Sequence, residues 1–201
     1  MNGEGFGRWA RRGVAVSRRV ITRAGAAGVT GLAFGGLASR PEAGEKAEAI
    51  EQRLAARGVV LTEPAAAVAT YAPYRIVGDM VYLAGQGPAA GQGAKVLGKL
   101  GRDLTVEEGA YAARLTAIAI LAQAKAACGG DLGRIVQWVR LTGYVNSSDD
   151  FTEQPKVING ASDLLVEIFG EKGMHARAAV SVNSLPFDIA VEIEASFQIR
   201  L

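Results

Sequence analysis

The chain has almost no cysteine and almost no histidine: one of each, Cys128 and His175, in 201 residues. A single thiol excludes an intramolecular disulfide framework and a multi-thiolate metal site, and one imidazole beside it leaves no ligand set for a protein-bound zinc. Cys128 ends an apolar helical pattern and reads as core rather than as a reactive thiol. Charge of one sign is lacking too. The formal net charge is +2, too small for a surface that must neutralise many phosphates, and much of the basic excess sits in the first 23 residues. With aromatics at 6% there is no basic, aromatic-studded face either, so nucleic acid is not an expected partner. What remains is a chain of 49% hydrophobic and 21% charged residues, enough for one domain with a single core and some additional sequence.

That additional sequence is N-terminal. Residues 1 to 40 are rich in arginine, glycine and alanine, and a charged helical pattern begins only after them. "SRRVITR", with Arg18 and Arg19, resembles the twin-arginine export signal, and the uncharged stretch 24 to 39 has the length and weak hydrophobicity of its apolar region. It is too short and too glycine-rich for stable membrane insertion. The expectation is a signal-like leader and a periplasmic location. A disordered basic extension on a cytoplasmic protein and a mitochondrial-type transit peptide are the alternatives.

From residue 45 the pattern becomes regular. Ala47, Ile50 and Leu54 recur at helical spacing until Gly58, predicting a short first helix over 45 to 56. Pro64 and Pro73 bracket a loop. "YRIVGDMVYLAG" then reads as two short strands turning at Gly78 and Asp79. The glycine-rich "GQGPAAGQGAKVLGKLG" lacks the lysine-serine ending of a phosphate cradle and is a turn-rich connection. Thr105 and Glu108 form a capping box that opens a long helix through Ala110, Ala117, Leu121 and Ala124 to Gly129 and Gly130. A strand over 135 to 145 follows. Pro155, Val157, Ala161, Leu164, Leu165 and Ile168, stopped by Gly170, make a second amphipathic helix. Two strands end the chain, the last alternating Val191, Ile193, Ala195, Phe197 and Ile199 against polar neighbours. This order predicts an α+β fold, one sheet with both long helices on its apolar face and the other face left to solvent or a partner subunit.

One strand contains a charge that needs explaining. In "MHARAAVSV", period two puts Ala176, Ala178, Val180 and Val182 on one face and Arg177, Ala179 and Ser181 on the other, so Arg177 is expected to face away from the core. "NSLPFD" is short enough for a hairpin, which would set Arg177 opposite Glu192 or Glu194. Two readings stay open on spacing alone: a cross-strand ion pair on a half-exposed sheet, or a guanidinium fork that takes a substrate carboxylate in two parallel hydrogen bonds while a glutamate holds water. His175, beside a turn, reads as incidental.

The segment "HARAAVSVNSLPFDIAVEIEASF" resembles the C-terminal signature of the YjgF-like reactive intermediate deaminase (Rid) superfamily, also known as endoribonuclease L-PSP, in which an arginine precedes a leucine-proline turn and a strand of the form E-I-E-A. "APYRIVGDMVYLAGQGP" is similar to that family's first hairpin and "VNSSDDFTEQPKVINGASDLLVEIFG" to its second helix, so the likeness runs from about residue 71 to 201. The resemblance implies a chorismate-mutase-like mixed sheet with two long helices on one face, a homotrimer, and clefts between subunits. It implies cofactor-free, metal-free hydrolysis of enamine or imine intermediates such as 2-aminoacrylate to a 2-keto acid and ammonia. By position it makes Arg177 the carboxylate-binding arginine and Glu192 the water-positioning glutamate, with Tyr74, Gly85, Ala179 and Asn159 also lining the cleft. The family's frequent cysteine two residues after the arginine is Ala179 here. Extra residues between Asp150 and Asn159 and the helix over 45 to 56 mark a divergent branch. A trimeric module that binds a small carboxylate without catalysis is the second reading, and the superfamily's ribonuclease activity is disfavoured by the modest charge. An exported deaminase would be separated from cytoplasmic pyridoxal-phosphate enzymes, so leader and activity point in different directions.

Overall fold

The computed structural model describes residues 47 to 67, 69 to 89 and 95 to 201. The leader expected over residues 1 to 40 lies outside them. Five strands and three helices follow one another as α1 (Ala47–Ala56), β1 (Tyr74–Val77), β2 (Met80–Gln86), α2 (Val106–Ala127), β3 (Ile135–Asn146), α3 (Gln154–Phe169), β4 (Ala176–Val182) and β5 (Val191–Ile199). The strands form one sheet in the order β1-β2-β5-β3-β4, in which only the β3/β4 pair is parallel.

Local chemistry accounts for the element ends. Glu108 N donates to Thr105 Oγ1 at 3.2 Å and Thr105 N to Glu108 Oε2 at 2.9 Å, so the reciprocal cap satisfies two of the free amides that open α2. Gly129, at φ 67°, and Gly130, at φ 95°, turn the chain out of the helix into a conformation that side chains resist. Pro155 lies in the first turn of α3, where no intrahelical amide is needed. Helices α2 and α3 approach closely because residue 160 has no side chain. A Cβ there would lie 1.9 Å from the Ala110 carbonyl oxygen.

Both long helices cover the face of the sheet that carries Leu83, Leu141, Ala195 and Phe197, all buried. Trp138 fills the centre, with its ring centroid 4.8 Å from that of Phe197 and 5.7 Å from that of Phe169 in an edge-on contact. The first helix adds Ile50 and Leu54, each 1% exposed, to the same core. Strand β5 is buried at Val191, Ile193, Ala195, Phe197 and Ile199, the alternation read from its sequence. No helix among the described residues is long and apolar enough to cross a membrane.

The expected hairpin of the last two strands is corrected. Strand β4 pairs in parallel with β3, Arg177 against Leu141, and β3 in turn pairs with β5, Leu141 against Ala195, so β3 separates β4 from β5. The cause is the helix before β4: strand, helix and strand in succession form a crossover that returns to a parallel neighbour. Residues 183 to 190, able to extend up to about 26 Å, then cross the end of β3. Asn146 N donates to the Ala190 carbonyl at 2.9 Å and Ala190 N to the Val96 carbonyl at 2.8 Å, which fixes that crossing.

The face assigned to Arg177 is corrected as well. Because Leu141 and Ala195 look toward the helices, so does Arg177, while Ala178 and Val180 lie on the open face. Alanine and valine alternating with arginine, alanine and serine carry a weak face signal. The polar side chains of α3 decide the matter.

Candidate functional site

Two groups of the predicted site residues form at separate places on the chain. The first surrounds Arg177 on the edge strand β4. Pro155, Asn159 and Ser162 recur at helical spacing on one face of α3. Arg177 Nη1 donates to Asn159 Oδ1 at 2.9 Å and to Ser162 Oγ at 3.0 Å, and Nη2 donates to the Pro155 carbonyl at 3.4 Å. A guanidinium has five N–H donors. These contacts engage three, leaving Nε–H and one Nη2–H with no acceptor among the described residues. The side chain is exposed, and no carboxylate among the described residues pairs with it. Ala179, two residues along on the same face, is half-buried against the core.

His175 joins this group. Its Nδ1 lies 2.7 Å from the Gly173 carbonyl, which can only accept, so the proton belongs on Nδ1 and Nε2 accepts from the Ser162 hydroxyl at 3.1 Å. The chain of hydrogen bonds therefore runs Arg177 to Ser162 to His175 to the backbone. Burial, more than any other cause, lowers the His175 pKa, and Arg177 pushes the same way against the Gly173 carbonyl. The unfolded chain thus takes up a proton at the ordinary imidazole value while the folded chain resists it. The contribution of His175 is fully present above that value and is lost as pH falls from it through the lower folded-state value. Thermal melting between pH 7.5 and 5.5 should show a larger drop for the unmodified protein than for His175→Gln, with about 2 to 4 °C corresponding to each kcal/mol in a chain of this size. Equal drops for the two would remove His175 as the cause.

The second group lies where β2 ends and β5 begins. A cavity of about 280 Å³ is bordered by Tyr71, Pro73, Gly85, Phe187, Ile189 and Glu192, and Glu192 is its one charged lining residue among the described residues. A bulge in β2 between Leu83 and Gln86 brings Gly85 against the Glu192 side chain. A Cβ at position 85 would lie 2.0 Å from Glu192 Oε1, so it is the position of the carboxylate, not the backbone conformation, that an alanine there would disturb. Burial raises the Glu192 pKa, and the like charge of Glu194 adds to the effect. Tyr74, expected in the cleft, packs against the core, and Tyr71 borders the cavity instead.

Beside Glu192 the backbone is strained. Phe187 and Asp188 both have φ 56°, a left-handed conformation costing roughly 1–3 kcal/mol for a residue with a side chain. Contacts remote in sequence hold it. Asn146 Nδ2 donates to Asp188 Oδ1 at 3.1 Å and to the Ile189 carbonyl at 3.3 Å, and Gly98 N donates to the Asp188 carbonyl at 2.8 Å.

Within one chain the two groups cannot serve one small substrate. Arg177 and Glu192 stand on strands separated by β3, about 9.5 Å in strand spacing alone, and on opposite faces of the sheet. Each is chemically half a site: a cation with free donors, and an apolar cavity with a carboxylate that would repel an organic anion. Ser162, Tyr71 and Phe187 were not visible as site residues from the sequence. Ser162 had a signal, its position three residues after Asn159. Among the described residues no group of three or more histidine, cysteine or acidic side chains is placed to hold a metal ion.

Known proteins fit this architecture. The profile of the family described as "YjgF/chorismate mutase-like, putative endoribonuclease" matches residues 51 to 193. Protein TCP17 of Trypanosoma cruzi is 44% identical over 144 residues, 71% of this chain and 89% of that protein. The crystal structure of Atu1372 from Agrobacterium tumefaciens is 45% identical with a TM-score of 0.70, covering 77% of this chain and 94% of its own. A Shewanella oneidensis structure, named a "putative endoribonuclease", is 41% identical with a TM-score of 0.71 and covers 75% and 99%. With the mixed sheet, the paired long helices and more than half the chain matched, this protein belongs to the YjgF/chorismate-mutase-like family.

Proposed function

We propose that the protein is a cofactor-free hydrolase of 2-imino and enamine acids, working as a homotrimer in which Arg177 of one copy faces the Glu192 cavity of the next. The observation that carries this reading is the unspent edge of Arg177: a guanidinium fixed by Asn159, Ser162 and the Pro155 carbonyl, with two N–H donors and no acidic partner among the described residues. Such a fork matches a carboxylate. The place of Arg177 on the edge strand, accessible to another copy, and the lone carboxylate of the cavity support the two-copy site.

The chemistry balances without further reagents. With the substrate carboxylate on Arg177, Glu192 takes a proton from water as the water oxygen bonds to the imine carbon. Glu192 passes that proton to the imine nitrogen to complete the carbinolamine, then takes the hydroxyl proton and delivers it to the amino nitrogen as the carbonyl forms and the C–N bond breaks, giving a 2-keto acid and ammonia. A carboxylate raised toward neutrality by burial is suited to both transfers.

The test is ammonia release from imines made in place by an amino-acid oxidase, with and without the purified protein. Acceleration over the spontaneous rate, lost in Arg177→Ala, supports the hydrolase. Tight 2-keto-acid binding with no acceleration would make the protein a small-carboxylate module. The proposal extends to export directed by residues 1 to 40. A reporter fused to residues 1 to 45 should reach the periplasm and be retained when Arg18 and Arg19 both become lysine, whereas unchanged export would point to a different route.

A further inference from the structure

Phe187 is 81% exposed, yet its backbone is in the conformation least suited to a bulky side chain. An exposed phenyl ring loses the benefit of burial, and a left-handed phenylalanine adds strain; nothing in the fold gains from both. The connection could lie flat with glycine at that position. Instead Asn146 and Gly98 clamp Asp188 from outside the loop, and the clamp holds Phe187 at the cavity border. Strain that the surrounding structure over-determines points to a role for the residue it presents.

The cavity itself names the class of ligand. Apart from Glu192 and the amides Gln86 and Gln123, it is bordered by aromatic, proline, alanine and isoleucine side chains and by glycine, with Tyr71 and Phe187 supplying ring surfaces. Its volume is about 280 Å³, whereas an apolar cavity of roughly 150 Å³ already admits benzene. A three-carbon imine leaves most of that space to water. A benzyl or isobutyl group is of the size to fill it. The Ala65 carbonyl, which accepts from Gln123 Nε2 at 2.7 Å, pins the loop that forms the far wall to α2, so the cavity is preformed.

We propose that this cavity receives the side chain of the substrate, and that Phe187 with Tyr71 selects 2-imino acids of aromatic and branched apolar amino acids over 2-aminoacrylate-sized ones. The inference rests on the hydrolase reading only for the reaction; the binding preference is separate from it. The experiment is calorimetric titration of the full chain with phenylpyruvate, 4-methyl-2-oxopentanoate and pyruvate, beside oxidase-coupled hydrolysis of the phenylalanine, leucine and alanine imines. Phenylpyruvate should bind at least about tenfold more tightly than pyruvate, the scale on which apolar pockets discriminate. Phe187→Ala should reduce that ratio to under about threefold, and Phe187→Leu should keep part of it. Affinities within about twofold in the unmodified protein, no binding of any of the three, or a Phe187→Ala variant that only loses assembly would each overturn the inference. Preference for phenylpyruvate without hydrolysis of any imine leaves the inference standing and removes the hydrolase. Fast hydrolysis without preference does the reverse.

Discussion

Arg177→Ala should lower kcat/KM for imine hydrolysis by about 10² to 10³, and Arg177→Lys should recover little of it. Truncating one partner of a hydrogen-bonded charge pair costs roughly 2–5 kcal/mol, about 30-fold to 5,000-fold in rate, and the expected loss lies in the middle of that span. Lysine fails for a geometric reason. The Arg177 guanidinium is already anchored through Nη1 to Asn159 and Ser162 and offers its remaining edge outward, whereas an ammonium is a point charge that cannot hold α3 and a carboxylate in one plane. The folded state should barely notice either change, since the side chain is exposed and has no ion-pair partner among the described residues. Mixed assembly gives a sharper result. If each site takes Arg177 from one copy and Glu192 from the next, Arg177→Ala chains co-assembled with Glu192→Gln chains should regain about a quarter of the sites, because random placement around a closed trimer joins the two intact halves at that frequency. Steady-state rates on the refolded mixture, against each variant alone, measure this. No recovery in a mixture proven to contain hybrids would confine the site to one chain and sink the two-copy arrangement.

The parts of the fold legible in the sequence are those whose signal is local. The capping box at Thr105 and Glu108, the turn at Gly78 and the alternation of Val191 to Ile199 each specify an element within a few residues, and each is present. The pairing of β4 was legible in principle, because a strand, a sixteen-residue helix and a strand imply a parallel return. The shortness of "NSLPFD" pointed the other way, and the crossing it makes is fixed by Asn146 and Val96, both far away in sequence. The same distance hid Phe187: its backbone depends on Asn146 and Gly98, which no local pattern connects to it. The sequence marks Arg177 as a charge needing a partner, and the partners it has, Asn159 and Ser162, are neutral and lie on the helix instead of the next strand. Gly85 and Glu192 are neighbours through a β-bulge, a one-residue irregularity without a sequence mark of its own.

Glu192→Gln should separate activity from stability in opposite directions. Removing a general base or acid costs about 10² to 10⁴ in rate, so hydrolysis should collapse while titration with a 2-keto acid still gives binding, Arg177 being intact. Stability should rise at neutral pH. The folded-state pKa of Glu192 is raised by burial and by Glu194, so its contribution is fully present below the ordinary carboxylate value and is lost as pH rises through the raised folded value. Above that value the charged side chain is held in the fold against its hydration, and glutamine, uncharged and nearly isosteric, removes the penalty. Melting curves of the two proteins should therefore coincide near pH 4 and part with increasing pH, glutamine the higher. Gly85→Ala supplies an independent check: its Cβ would occupy the position of Oε1, and the flexible carboxylate yields by swinging away. That variant should lose hydrolysis with a melting temperature close to that of the parent. If Glu192→Gln instead melts lower than the parent at pH 7 and Gly85→Ala keeps full activity, the carboxylate is a structural strut and the water must be activated elsewhere.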